Sequence, residues 1–134
     1  MAMTQQDVVD YWIEKSAEDL KAAKILYNSS MFLHTGFMCQ QCIEKAMKAF
    51  YVYEKDERHP RQHNVQVLAE MTGLFDSMDD SKKQTISKLV PLYIETRYED
   101  EKRTIAERLT RLYCKNLLSE TEVLQEWIVR LMTS

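Results

Sequence analysis

Residues 37–53 of the chain read FMCQQCIEKAMKAFYVY, and no other segment says as much about the architecture. At about 100° per residue, its apolar side chains cover roughly half of a helix circumference, wider than the stripe of about 100° on an ordinary surface helix. Gln41, Glu44 and Lys48 follow one another on the other side, at steps of three and four residues. The pattern predicts a helix with most of its girth buried and one polar line (these three residues), which we call the polar seam.

Two interpretations of the polar seam are open at this point. Glu44 and Lys48 form an i,i+4 pair in the favourable order, which stabilises an isolated helix by only about 0.2–0.5 kcal/mol. On this interpretation the seam is a solvent-exposed face. On the other, the seam is a functional strip bordered by core on both sides, or a polar line at a subunit interface.

The composition predicts an all-α fold. The chain has 134 residues, the size of one domain, and contains only two glycines and two prolines. Folds rich in β-hairpins need turn residues every eight to twelve positions or so, which this chain lacks. Apolar periodicity predicts about five helices, near residues 4–28, 32–54, 64–73, 81–98 (kinked at Pro91) and 104–131. We therefore expect residues 1–134 to form a single domain with an up-and-down architecture like that of a four-helix bundle.

Charge and cysteine usage exclude several classes of function. The net charge is −3 and the sequence pI is about 5.6, which disfavours a protein that binds duplex DNA. Cys39 and Cys42 form a CxxC, but the pair lies on the apolar side of a predicted helix and no second Cys/His pair has zinc spacing. Buried free cysteine behaves as a small apolar residue, so we expect a structural role.

The chain carries no sign of a membrane segment or of a metal or cofactor site. It contains no run of 18 apolar residues and no signal peptide pattern, so we expect a cytoplasmic protein without membrane partners. Gly-rich phosphate loops, HExxH and GxSxG are absent, as are carboxylate–histidine pairs at i,i+3 or i,i+4 within the predicted helices. We predict neither metal nor cofactor.

Several strings in the chain resemble one known family. They are Ala17-x-Asp19-Leu20 with Ala23, then Gln40-Gln41-x-x-Glu44-Lys45-Ala46-x-Lys48-Ala49, then His63, then Tyr93-x-x-x-Arg97-Tyr98. Together they resemble the HEPN domain (higher eukaryotes and prokaryotes nucleotide-binding) over roughly residues 12–131. The resemblance implies a compact helical bundle, commonly dimeric and often paired with a separate minimal nucleotidyltransferase as a toxin–antitoxin couple. Some members cut RNA, and others are thought to bind nucleotides.

One feature of the ribonuclease members is missing from this sequence. Those members resemble one another in an Arg-x4–6-His motif on a late helix. Arg97 is at the corresponding place, but residues 98–104 read YEDEKRT and contain no histidine. The acidic residues in this segment would also repel a phosphate backbone. Arg58 and His63 have the spacing, yet they flank Pro60 in a predicted loop, so we interpret that match as coincidence. Whether the chain is an enzyme is therefore left open.

We predict an HEPN-like helical homodimer that binds a nucleotide or a minimal nucleotidyltransferase partner. A homodimer is also favoured by the wide apolar girth of the second helix and by the apolar stripe around Trp127. The candidate nucleotide-binding residues are Gln41, Glu44, Lys48, His63, Arg97 and Tyr98. Lys48 and Arg97 would hold phosphate, Tyr98 would stack on a base, and Gln41 would hydrogen-bond the base edge.

Two alternatives to this hypothesis come from other classes of function. The first is a metal-independent endoribonuclease toxin, for which His63 and Arg97 are the catalytic candidates and Lys48 a helper. The second is a non-catalytic dimeric interaction module, in which the polar seam is buried at the dimer interface. An internal salt bridge between Arg97 and Glu44 that orients the helices is a third interpretation of the same residues.

Overall fold

The computed structural model describes residues 3–93 and 98–133, and over these residues the chain is all-α, as predicted. These described ranges contain seven α-helices, where the sequence predicted about five. The helices are α1 Gln5–Asn28, α2 Phe32–Lys55, α3 Val65–Thr72, α4 Leu74–Ser77, α5 Asp80–Leu89, α6 Glu99–Arg108 and α7 Arg111–Thr133, with a 3-10 turn at Val90–Leu92 after α5.

Helices α1 and α2 form an antiparallel hairpin that begins with a capping box. The Thr4 hydroxyl accepts a hydrogen bond from the Asp7 backbone N–H (3.0 Å), and the Asp7 carboxylate accepts one from the Thr4 N–H (3.1 Å). Only residues 29–31 separate the two helices. At the open end of the hairpin, the Gln5 side-chain amide donates to the carbonyl oxygen of Val52 at 3.0 Å, which ties the start of α1 to the end of α2.

Helix α2 is the central element of the bundle. Thirteen of its 24 residues are buried, against five of 24 in α1 and eight of 23 in α7. Helix α7 runs parallel to α2. Cys114, near the start of α7, contacts the carbonyl of Phe32 at the start of α2. Glu122, further along α7, pairs with Lys24, which precedes the end of α1 and so lies beside a later part of the antiparallel α2. The wide apolar girth predicted for α2 is thus real, and the chain covers it without a second copy.

Gly36 allows the C-terminal half of the chain to approach α2 closely. A Cβ atom at this position would lie 2.9 Å from Cδ1 of Leu109 and 3.3 Å from Cδ1 of Leu92. Glycine has no Cβ, so the 3-10 turn and the junction between α6 and α7 can both rest on the first turns of α2. This contact sets Tyr93, which follows the 3-10 turn, beside Phe37, with their ring centroids 6.2 Å apart.

Two helix boundaries differ from the sequence-based prediction. Helix α5 was expected to continue to residue 98 with a kink, but it ends at Leu89 and gives way to the 3-10 turn that holds Pro91. Proline lacks the N–H that would continue the helix. The charged segment that starts at Glu99 was expected to be a break, but it forms the first turn of α6. Acidic side chains at a helix N-terminus interact favourably with the helix dipole. The break comes later, at residues 109–110.

The three cysteines are buried and free, in agreement with a structural role for the CxxC. Burial raises the pKa of the Cys39 and Cys42 thiols to about 12, so neither is a nucleophile at neutral pH. Among the described residues, no helix is long and apolar enough to cross a membrane.

Candidate functional site

The polar seam of α2 is not a solvent-exposed face. Glu44 is 3% exposed and Lys48 is 6% exposed, and neighbouring Gln40 is completely buried. The chain between α2 and α3, residues 56–64, lies against this side of the helix through His63. The exposed-face interpretation is therefore wrong. The reason is that a helical wheel contains no information about a loop that folds back over one face.

Glu44 is the centre of this site, because its carboxylate meets three different side chains. Lys48 Nζ donates to Oε2 at 2.8 Å, and Gln40 Nε2 donates to Oε1 at 3.0 Å. Nδ1 of His63 lies 3.1 Å from Oε2 and 3.2 Å from Oε1. A buried carboxylate needs such partners, since each unmade hydrogen bond would leave a desolvated charge. We call Gln40, Glu44, Lys48 and His63 the Glu44 cluster.

A pair of glutamines fixes the loop backbone to the same helix. Gln40 Nε2 also donates to the carbonyl oxygen of His63, at 2.9 Å. The Gln41 side-chain amide donates in turn to Oε1 of Gln40, at 2.6 Å, which orients the Gln40 amide. His63 is thus held by its backbone as well as by its ring, and the loop enters α3 through Asn64, whose side chain caps that helix.

The His63 ring is oriented and half exposed. Its side chain is 50% exposed, and the ring stacks on Tyr93 with centroids 4.4 Å apart and an interplanar angle of 9°. Because Nδ1 faces a carboxylate, Nδ1 carries the hydrogen, and Nε2 of the neutral ring is an acceptor. A second proton on Nε2 would convert the ring into a cation that is paired with Glu44. The arrangement can therefore accept a proton or contact an anion at Nε2.

The structure brings together four of the six candidate residues. Gln41, Glu44, Lys48 and His63 form one connected network of hydrogen bonds. Tyr98 is 80% exposed at the start of α6. Arg97 lies outside the described residues. Its predicted roles in phosphate binding, in catalysis and in an ion pair with Glu44 therefore stay predictions.

Two members of the site were not among the candidates. Gln40 belongs to the Gln40-Gln41-x-x-Glu44 string, where its i,i+4 spacing to Glu44 was a usable signal. Tyr93 stacks on a residue 30 positions earlier in the chain, and no local pattern predicts that contact. Arg58, in the Arg58-x4-His63 match, is exposed and lies beside Trp12 in a surface groove at the open end of the hairpin.

A second ion pair joins α1 to α2 at the position after Glu44. Lys45 Nζ lies 2.6 Å from Oδ2 of Asp19, whose side chain is 12% exposed. Burial raises the pKa of the Asp19 carboxyl, an effect that the Lys45 ammonium partly offsets. One turn away, the buried Ser16 hydroxyl donates to the Cys42 carbonyl at 2.8 Å. These contacts join α1 to α2.

No group of three His, Cys, Asp or Glu side chains within residues 3–93 and 98–133 is arranged to hold a metal ion. The chemistry available at the Glu44 cluster is that of an oriented imidazole, a carboxylate and an ammonium group. These are the groups of metal-independent acid–base or anion-binding sites.

Comparison with known proteins gives one family and two similar solved structures. The model of the HEPN domain matches residues 9–132. The crystal structure of ST0689, described as an archaeal HEPN homologue, has a TM-score of 0.69 and 20% sequence identity, covering 92% of this chain and 97% of its own. TT1696 from Thermus thermophilus has a TM-score of 0.76 and 19% identity, covering 91% of this chain and 96% of its own. No curated protein matches this chain.

Proposed function

This chain belongs to the HEPN domain family, and we propose that it binds a nucleotide at the exposed side of the Glu44 cluster, alone or together with a minimal nucleotidyltransferase partner. We propose further that residues 1–134 form one domain, that this domain works as a homodimer in the cytoplasm, and that it is half of a toxin–antitoxin pair. HEPN domains commonly dimerise, which supports the proposed homodimer.

The observation that carries the proposal is the fixed orientation of His63. Glu44 holds Nδ1, Tyr93 stacks on the ring, and half of the side chain remains exposed. In its imidazolium form, the ring donates a charge-assisted hydrogen bond from Nε2 to a phosphate oxygen.

The other candidates have graded roles in this proposal. Lys48 is nearly buried and already paired, so it balances the charge of Glu44 and positions the carboxylate. Gln41 is partly exposed and offers its side-chain carbonyl to the base edge. Arg97 supplies a guanidinium whose planar fork suits phosphate, and Tyr98 supplies a stacking surface for a base.

Thermal unfolding with and without ATP, GTP and a short RNA tests the proposal. A ligand that binds only the folded state at 100 times its Kd should add about 2.7 kcal/mol of stability. We expect such a shift with at least one ligand, and we expect His63→Ala to abolish it. His34→Ala is the matched control, because His34 is an exposed histidine at the other end of α2.

Two results would contradict nucleotide binding at this site. One is the absence of a shift with any of the three ligands. The other is a shift that persists in His63→Ala. If no ligand binds, the partner part of the proposal stands on its own test, which is co-purification with a nucleotidyltransferase encoded next to this chain. Failure to co-purify with any such neighbour would reject that part.

A second candidate function, a metal-independent endoribonuclease, is favoured by the contact between Glu44 and Nδ1 of His63. A histidine whose Nδ1–H faces a carboxylate is the arrangement that prepares Nε2 to take the proton from a ribose 2′-hydroxyl. This candidate predicts that expression slows growth and that His63→Ala or Arg97→Ala relieves the effect. Unchanged growth under strong expression, together with intact cellular RNA, would reject it.

A further inference from the structure

A cavity between α5, α6 and α7 has no part in the function proposed above. The end of α5 and the 3-10 turn form one side of it, and the junction of α6 with α7 forms the other. Its volume is about 270 Å³. Pockets for drug-sized ligands begin at about 300 Å³, so this cavity has room for a smaller molecule.

The wall of the cavity is apolar and already ordered by the fold. Leu92, Ile105 and Leu109 line the cavity, and each of them is nearly buried. Leu92 and Leu109 are also the side chains that approach α2 at Gly36, so the wall is anchored to the central helix. An apolar ligand can pack on such a wall without first ordering a mobile side chain.

The polar residues of the cavity leave one cation free. Arg108, the last residue of α6, is exposed and forms no hydrogen bond or ion pair with any residue that the structure describes. Lys88 also lines the cavity, but its Nζ donates to both carboxylate oxygens of Glu120, at 3.0 and 2.9 Å, so its charge is balanced. No Asp or Glu is among the described residues that line the cavity. The charge of the cavity therefore matches one negative charge on a ligand.

We propose that this cavity binds a small molecule that consists of an apolar body and a single carboxylate. The Arg108 guanidinium takes the carboxylate through two parallel N–H···O hydrogen bonds, for which its planar fork is suited. The apolar body packs on Leu92, Ile105 and Leu109 and is removed from water. A nucleotide does not suit the cavity, because the volume is small and only one cation is free.

The cavity lies behind the segment that leads to the Glu44 cluster. Leu92 lines the cavity, and the next residue, Tyr93, stacks on His63. A ligand that fills the cavity therefore holds the segment that presents Tyr93 to His63. Binding of the carboxylate does not rest on the function proposed above, so the two proposals are tested separately.

An NMR titration of the isotope-labelled wild-type chain tests the proposal, with benzoate, benzamide and acetate as separate probes. Benzoate carries both the charge and the apolar body, whereas benzamide lacks the charge and acetate lacks the body. We expect benzoate to cause saturable shifts of backbone amides within residues 86–92 and 105–113. The other two probes should bind at least about ten-fold more weakly.

Three variants assign the binding to the cavity. Arg108→Ala should weaken benzoate about ten-fold or more and leave benzamide unchanged. Arg103→Ala is the matched control, since Arg103 is exposed on the same helix but does not line the cavity. Ser87→Phe fills the cavity from an exposed position on α5, so it should abolish benzoate binding while the core stays intact.

Several results would overturn the proposal. One is the absence of saturable shifts with benzoate, and another is binding of benzamide or acetate as tight as that of benzoate. Equal weakening by Arg103→Ala and Arg108→Ala, or unchanged binding in Ser87→Phe, would also reject it. His63→Ala should bind benzoate as the wild-type chain does. Loss of benzoate binding in that variant would assign the anion to the Glu44 cluster and overturn the proposal.

Discussion

Two buried carboxylates pair with lysines of α2 that are three positions apart, and the two carboxylates are held in different ways. Glu44 shares its helix with Lys48 and Gln40 and receives His63 from a loop, so three side chains meet one carboxylate. Asp19 lies on α1 and meets a single lysine, Lys45, whose side chain is 25% exposed. The first arrangement attaches a loop and orients a half-exposed histidine. The second joins two helices.

The comparison shows what burial alone does not indicate. Both carboxylates are mostly buried, but only the Glu44 cluster leads outward to a half-exposed ring. The two buried charges therefore differ in how they connect to the surface. A count of ion pairs alone does not distinguish the Glu44–Lys48 pair from the Asp19–Lys45 pair.

The largest expected effect comes from breaking the first arrangement with Glu44→Ala. The variant leaves the Lys48 ammonium nearly buried without a counter-ion, and it releases the His63 ring. We expect a loss of about 3–5 kcal/mol in the free energy of unfolding, measured by urea denaturation. Glu18→Ala is the control: Glu18 forms an exposed pair with Lys15, and its loss should change stability by less than about 0.5 kcal/mol.

Removing both charges sharpens the same point. In Glu44→Leu with Lys48→Met, no uncompensated charge remains, so the double variant should be clearly more stable than Glu44→Ala. It should also lose any ligand binding that depends on His63. If the double variant is as unstable as Glu44→Ala, the cost lies in packing and not in the unpaired ammonium.

A smaller effect is expected for Asp19→Ala. Lys45 is partly exposed and can turn to water when its partner is gone, so the loss should be about 1–3 kcal/mol. The affinity of the folded variant for any ligand of the Glu44 cluster should be unchanged, because neither Asp19 nor Lys45 belongs to that cluster. A stability loss equal to that of Glu44→Ala, measured by the same urea unfolding, would remove the distinction between the two pairs.

Ser16→Ala should cost about 1 kcal/mol. The substitution removes the hydroxyl that donates to the Cys42 carbonyl between α1 and α2. The cost is modest because the carbonyl that loses this hydrogen bond is neutral. Thermal unfolding of Ser16→Ala beside Ser119→Ala, whose hydroxyl is exposed on α7, separates the buried contact from a general serine effect. Equal stability of the two variants would contradict the assignment.

The smallest expected effect is a difference in pH dependence. Burial raises the pKa of Asp19 above its ordinary value of 3.8, so the folded state binds this proton more tightly than the unfolded state. The contribution of Asp19 to stability therefore falls as the pH rises from about 4 through the raised pKa. Asp19→Asn lacks this titration, so it should compare more favourably with the wild-type chain at pH 7 than at pH 4. Urea unfolding at both pH values measures this, and the opposite trend would contradict it.

The parts of the fold that depend on local patterns were predictable from the sequence. Apolar periodicity predicted a first helix from about residue 4, and the apolar girth of residues 37–53 predicted that most of α2 is buried. The boundary at Pro91 was harder, since a proline either kinks a helix or ends it, and the local sequence does not distinguish the two.

The candidate site was predictable only where its residues share a helix. Glu44 and Lys48 were identified because they are one turn apart. Their burial was not, because it results from a loop that returns to α2 through His63, 19 residues after Glu44. The stack of His63 on Tyr93 depends in turn on the close approach at Gly36. Long-range contacts of this kind leave no periodic signal in the sequence.

The three-residue connection between α1 and α2 also affects what happens while the chain is being synthesised. A short loop closes at little entropic cost, so the hairpin can form as soon as residue 55 has left the ribosome. The side of α2 that α7 covers has no cover at that stage, and the last buried residue of α7 is Met132. At about 5–20 residues per second, a ribosome needs roughly 4–15 s to supply it. During that interval the nascent hairpin presents an open apolar face, which is the form of the chain that a chaperone would meet.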